Sequence, residues 1–233
     1  VLGPSLAREL HAAYNITGEG NFEHGKSNPA LIEEDFAVRV KLADARRQLR
    51  EYREAEREPP GKDTKINNAW NSMMIRALAD AGFYFDRPKW TQRARKAIDF
   101  LWSELVTETS KGIQLKAVYY ESGGANVDAF LHDYALLAEA CLAVASKIDW
   151  IESGASAIYQ ARAQACVDQA IQYFADEHSI GYYFTAEGAE TPVARRKEWF
   201  DNATPSGNSV MLHALSGLHA LTGDSRYAAE LEA

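Results

Sequence analysis

A set of residues recurs along this chain at a fixed distance. Trp90, Ala94, Ala97, Leu101 and the pair Gly112-Ile113 return as Tyr159, Ala163, Cys166, Ala170 and Gly181-Tyr182, each shifted by the same 69 residues, from 90 to 159. The stretch before each set repeats too, with Trp70, Ala77, Leu78 and Ala81 matched by Tyr134, Cys141, Leu142 and Ala145 at an offset of 64, from 70 to 134. Apolar residues spaced by three and four mark helices, so each unit reads as an inner helix, a loop, an outer helix and a short extended piece, Gln114–Tyr120 in one and Gly181–Thr185 in the other. A third unit opens with a helix from Ser206 to Leu221 and a partner starting at Gly223-Asp224-Ser225. Repeated helical hairpins must bury their apolar faces on one another, which predicts an all-α architecture of stacked hairpins, either an α/α toroid or a solenoid. The extended pieces favour the toroid and would form one rim.

The helices are of two kinds. Val38, Leu42, Ala45, Leu49 and Tyr52 form one narrow apolar stripe in a charged stretch, so a long amphipathic helix is expected there, ended by Pro59-Pro60-Gly61. The segment from Ala129 to Ile148 is apolar nearly all round, as a helix packed on several sides must be.

Charge and cysteine usage exclude several classes of function. Lys and Arg number 25 against 33 Asp and Glu, a formal charge of -8, which argues against a nucleic-acid or anionic-membrane surface. Tyr134 to Ala145, the longest apolar stretch, is interrupted by Glu139 and is far short of the ~20 residues that cross a bilayer. Cys141 and Cys166 lack CxxC spacing and sit at apolar helical positions, so both are expected reduced. With no signal-peptide pattern at Val1, a cytoplasmic location is expected. No His pair has zinc spacing, so neither metal nor cofactor is expected.

Polar residues gather where the inner helices begin. The nine residues from Asp201 to Ser209 combine backbone breakers with donors and acceptors just before Val210, Leu212, Leu215, Leu218 and Leu221. Pro205 sets φ at the entrance, and Ser206 or Asn208 can cap exposed N–H groups. The first start carries Asp63, Lys65, Trp70 and Asn71, the second His132, Asp133 and Tyr134, and the third Asp201, Ser206, Asn208 and Ser209. In a toroid these ends converge on one funnel. Carboxylates, amides and an aromatic platform in one concavity suit a sugar-like small molecule, with Asp63, His132, Asp133 and Asp201 as candidate acids and bases. Lys65, Trp70, Asn71, Tyr134, Ser206, Asn208 and Ser209 are then candidate binding groups. The plainer reading makes each carboxylate a cap or loop-bonding group of its own hairpin.

Five motifs in order carry a resemblance: Gly20-Asn21-Phe22-Glu23, Lys62-Asp63-Thr64-Lys65 followed by Trp70-Asn71, Phe130-Leu131-His132-Asp133-Tyr134-Ala135, Gly181-Tyr182-Tyr183-Phe184-Thr185, and Asp201 through Ser209. They resemble the motif series of the spermatogenesis-associated, thioredoxin-domain-containing family, whose long members join a thioredoxin-like domain to an (α/α)6 toroid of the six-hairpin glycosidase kind. The resemblance implies that residues 1–233 are a single partial toroid domain from the C-terminal part of a longer protein. The thioredoxin-like domain, absent here, would be a partner within that protein. Thr64 and His132 stand where the family's pattern has acids. Sugar epimerases and isomerases with this toroid use histidine at the inner rim, which implies carbohydrate binding or processing here. The alternative is a non-catalytic module that binds a ligand or protein segment in support of the thioredoxin-like domain.

Overall fold

The computed structural model describes residues 1–32, 35–190 and 193–232. These form two compact units, residues 1–63 and residues 64–233.

The first unit holds α1 (Pro4–Ala13), a short 3-10 turn at Glu23–Gly25, α2 (Phe36–Lys41) and α3 (Ala43–Glu56). The apolar stripe expected on one long helix is divided between α2 and α3. The backbone leaves helical geometry at Leu42 (φ -93°, ψ 9°), where Leu42 and Ala45 are both buried while Tyr52 stays exposed. A turn at Leu42 serves the small core better than a straight rod, which would carry the stripe past it. Between α1 and α2 the Asn21 amide is the main loop tie: Nδ2 donates to the Asn15 and Asn28 carbonyls, and Oδ1 accepts from Asn28 N–H at 2.6 Å.

The second unit contains β1 (Ile66–Asn67), α4 (Asn68–Tyr84), α5 (Pro88–Leu105), β2 (Val106–Thr109), β3 (Gly112–Tyr120), β4 (Gly124–Asp128), α6 (Leu131–Ile148), α7 (Ser156–Phe174), α8 (Gly207–Thr222) and α9 (Ser225–Glu232). Successive helices pair as antiparallel hairpins, α4 with α5, α6 with α7, and α8 with α9, and α6 also packs against both α4 and α8. So α4, α6 and α8 are the inner row. The core follows this order: Ala135, Leu137, Ala138, Ala140, Cys141 and Val144 of α6 are wholly buried, and Ile75, Ile98, Ala163, Cys166, Met211 and Leu215 meet them from the neighbours. Burying so continuous an apolar surface, at about 25 cal/mol per Å², is the main force holding the hairpins together. These are hairpins of a partial (α/α)6 toroid with short β segments on one rim. On α8, Val210, Leu215 and Leu218 face the core, whereas Leu212 and Leu221 remain nearly half exposed.

The rim segments run from the end of an outer helix to the start of the next inner one. In the first, β3 pairs antiparallel with β2 (Val106 opposite Leu115), with β1 (Ile66 opposite Tyr119) and with β4 (Lys116 opposite Asp128). In the second, the extended piece expected over Gly181–Thr185 makes one isolated bridge, Ala175 to Tyr182, and otherwise follows an irregular path. Both cysteines are free and buried, and burial pushes the Cys141 thiol up to about 12 and Cys166 well above its ordinary value. Among the described residues no helix is long and apolar enough to cross a membrane.

Candidate functional site at the inner-helix starts

Each inner helix begins with a polar side chain that closes its own first turn. Asn67 caps α4, its Oδ1 accepting from Trp70 N–H at 2.9 Å, and Asn71 donates back to the Asn67 carbonyl at 2.8 Å. At α6 the third residue does this work: Asp133 Oδ2 accepts from Phe130 N–H at 3.0 Å. At α8 Ser206 Oγ accepts from Ser209 N–H at 3.1 Å, and Asp201 Oδ1 accepts from Ser206 N–H at 2.9 Å.

The three starts are also joined to one another. Asn68, the wholly buried first residue of α4, donates through Nδ2 to the Asp133 carbonyl at 2.9 Å, and so ties α4 to α6. Gly207 opens α8 close against α6: a Cβ there would stand 2.8 Å from Leu131 Cδ2 and 3.1 Å from His132 N, so the buried Leu131 would have to shift. Leu131 N–H donates to the Phe184 carbonyl at 3.0 Å and Phe184 N–H to that of Arg196 at 2.7 Å, which bind the second rim segment to the same place. Phe130, His132 and Phe184 stack there with ring centroids 4.6–6.0 Å apart, and the Arg196 guanidinium lies over Phe184 at 5.2 Å.

This network brings His132, Asp133, Tyr134 and the Ser206–Ser209 turn together with the first turn of α4. Within it the groups differ in what they can still do. Asp133 is 1% exposed, and burial raises its carboxyl above the usual range against the opposing pull of the nearby imidazole and the Phe130 and Asn68 hydrogen bonds. It caps the helix, and His132, with its side chain 28% exposed, places Nε2 3.7 Å from Asp133 Oδ2, beyond hydrogen-bond reach. Tyr134 points away from solvent, its hydroxyl accepting from Leu115 N–H at 3.0 Å, and burial pushes the phenol up to about 12. Asn208 is buried as well, with Oδ1 accepting from Tyr182 N–H at 2.8 Å and Nδ2 donating to the Tyr182 and Glu198 carbonyls. Trp70 is 63% exposed, and Asn71 and Ser209 are half-buried. Asp201 is exposed on the loop it braces. Lys65 is exposed near the start of the second unit, and Asp63 is the last, exposed residue of the first.

Two groups escaped the sequence reading. Asn68 stands beside Asn67 at a helix start, a pairing that is itself a capping signal. Phe130 and Phe184 stand in the quoted motifs, but nothing in their spacing of 54 residues, from 130 to 184, announces a stack. Among the described residues no group of three His, Cys, Asp or Glu is placed to hold a metal ion.

Comparison with known proteins places the chain by family and fold. No family model matches the chain. It is 32% identical over 224 residues, 92% of its length, to spermatogenesis-associated protein 20 of Rattus norvegicus, and 29% identical over 195 residues to that of Homo sapiens. It spans only about a quarter of these relatives, 27% and 24% of their lengths. Among solved structures, a cellobiose 2-epimerase from Spirochaeta thermophila superposes with a TM-score of 0.55 at 16% identity, over 85% of this chain and 54% of the other. A GH76 α-mannanase from Bacteroides thetaiotaomicron gives 0.50 at 13% identity, over 76% and 45%. At such identities the likeness is one of fold, that of the six-hairpin glycosidase-like toroids.

Proposed function

We propose that this relative of spermatogenesis-associated protein 20, a set of hairpins from an (α/α)6 toroid, carries a binding site for a sugar-like ligand where its inner helices begin. The observation that carries the reading is the direct joining of the three helix starts, through the Asn68–Asp133 bond and the Gly207–Leu131 contact, around a His132 that stays partly open to solvent. Helix N-termini carry partial positive charge, which suits hydroxyl and carbonyl oxygens. Trp70 supplies an exposed ring for stacking on C–H faces, and Asn71 and Ser209 supply polar contacts.

In a processing reaction His132 is the group placed to move a proton, because its imidazole, 28% exposed, stays open to solvent beside the joined helix starts. Asp133 serves here as the α6 cap, its buried carboxylate accepting from Phe130 N–H. Asp201 is an exposed candidate for a second acid or base. The commitment of Asp133 to the α6 cap favours a second reading, a non-catalytic module in which the same surface binds without turnover.

Saturation-transfer NMR with a panel of mono- and disaccharides in D2O tests both. Binding that weakens at least tenfold in Trp70→Ala supports the site, and loss of sugar C–H signal by exchange, abolished in His132→Asn while binding survives, supports processing. Binding with neither exchange nor the appearance of hydrolysed sugar signals selects the module reading. No binding by any sugar, or binding indifferent to Trp70→Ala, refutes the site.

A further inference from the structure

The second unit also holds a cavity of about 760 Å³ away from Trp70, Asp201 and the α8 start. It opens between the β2–β3 turn, the end of β4, the last turns of α7 and the 185–190 loop, and it meets the helix-start cluster only along Phe130 and Tyr134. Its size lies within the ~300–1,000 Å³ of small-molecule sites.

Both walls are held in place. On one side Ile113 N–H donates to the buried Gln169 Oε1 at 2.8 Å. On the other, Glu187 N–H donates to the Tyr173 carbonyl at 2.7 Å, and Arg195 donates to the Thr185 and Tyr173 carbonyls while its guanidinium covers the Tyr183 ring at 4.1 Å. A ligand would therefore meet a formed surface, with little ordering left to oppose binding.

The lining chemistry selects the ligand. Phe130 and Tyr173 bring aromatic surface, while Ser110 and Gln114 bring a hydroxyl and an amide. Glu187 and Glu190 set two carboxylates against Lys111, with Asp128 paired to Lys116 beside them, so phosphate- and carboxylate-bearing compounds are disfavoured. Aromatic surface mixed with hydroxyl, amide and carboxylate groups matches alternating C–H and O–H faces. We propose that this cavity is a second saccharide site, taking a neutral di- or trisaccharide, independent of the helix-start site.

Calorimetric titration of the whole chain with cellobiose and maltotriose tests this, with glucose 6-phosphate and spermidine as anionic and cationic controls. Ala189→Trp, on the exposed loop at the mouth, is expected to weaken sugar binding at least tenfold, and Gln114→Ala about threefold. Read in the Trp70→Ala background, which removes the helix-start site's share of the heat, the remaining sugar binding is expected to keep its affinity within twofold and to be lost in Ala189→Trp. A thermal midpoint for each variant guards against misfolding, and Gln114→Ala, exposed on a strand, keeps the test alive if Ala189→Trp unfolds. Sugar binding untouched by both cavity variants, tighter binding of either control, or no sugar binding up to tens of millimolar overturns the proposal. Loss confined to Trp70→Ala would overturn it while leaving the helix-start site standing.

Discussion

Residues 106–130 and 175–206 perform the same task, returning the chain from an outer helix to the next inner one, and they satisfy their backbone polar groups by different means. The first lays β3 between strands, so most of its N–H and C=O groups bond along a ladder. The second has one bridge among its described residues and scattered backbone bonds such as Phe184 N–H to the Arg196 carbonyl, and side chains add to them: Asn208 bonds both the N–H and C=O of Tyr182, Arg195 bonds the carbonyl of Thr185, and Lys197 bonds that of Ile180. One device is shared. At the matched glycines, Gly112 (φ +113°) and Gly181 (φ +79°), the next residue's N–H donates to a buried side-chain amide oxygen at 2.8 Å, from Gln169 in one case and Asn208 in the other. A Cβ would stand 2.2 Å from Gln169 Oε1 or 2.8 Å from Asn208 Oδ1, so the glycine is required twice over. A ladder is local and redundant, whereas a side-chain amide is a single point on which several buried groups depend.

That difference has measurable consequences. Asn208→Ala should be the most damaging change at either crossover, because it strands the N–H and two carbonyls that Asn208 now serves. A loss on the order of 3–5 kcal/mol is expected in urea unfolding, and a loss below about 1 kcal/mol would show that the second crossover does not hang on this residue. Gln169→Ala removes one bond to the laddered crossover and should cost about 1–3 kcal/mol. Equal losses for the two variants would erase the contrast.

Acid should separate the crossovers as well. Lys197 beside Asp176, with His178 N–H also donating, holds the Asp176 carboxyl well below the usual carboxylate range. A depressed folded value means that this contribution is complete above the unfolded value of about 3.9 and is lost as pH falls through the folded one. Hydrogen exchange should therefore show amides 181–185 losing protection below about pH 4 before those of β3, and Asp176→Asn should remove this acid step. Simultaneous loss in both segments would count against it. Asp133 runs the other way: its raised carboxyl penalises the folded state as pH rises from the unfolded value through the folded one, so Asp133→Asn should flatten that slope. The smallest effect belongs to Lys116→Ala, whose partner Asp128 has an 87% exposed side chain, so the ladder should lose no more than about 0.5 kcal/mol. A loss above ~1 kcal/mol would mean that β3 and β4 lean on the ion pair more than on their backbone bonds.

The hairpin repeat, the division into inner and outer helices, the α6 and α8 starts and the matched glycines were all legible in residue order, because each is a local periodicity or a backbone demand that one residue type meets. The α2–α3 break at Leu42, the partners of β3 and the irregular second crossover were not. They depend on which core or edge a segment meets, and 3.6- and 2-residue patterns carry no record of that. The candidate site divides in the same way. Its polar residues could be named from their positions before apolar helices, but only packing made Asp133 a buried cap, turned Tyr134 and Asn208 inward, left His132 and Trp70 open, and stacked Phe130 on Phe184. Burial and partner choice are properties of contacts between residues tens of positions apart, and a carboxylate's chemistry follows from them rather than from its place in the chain.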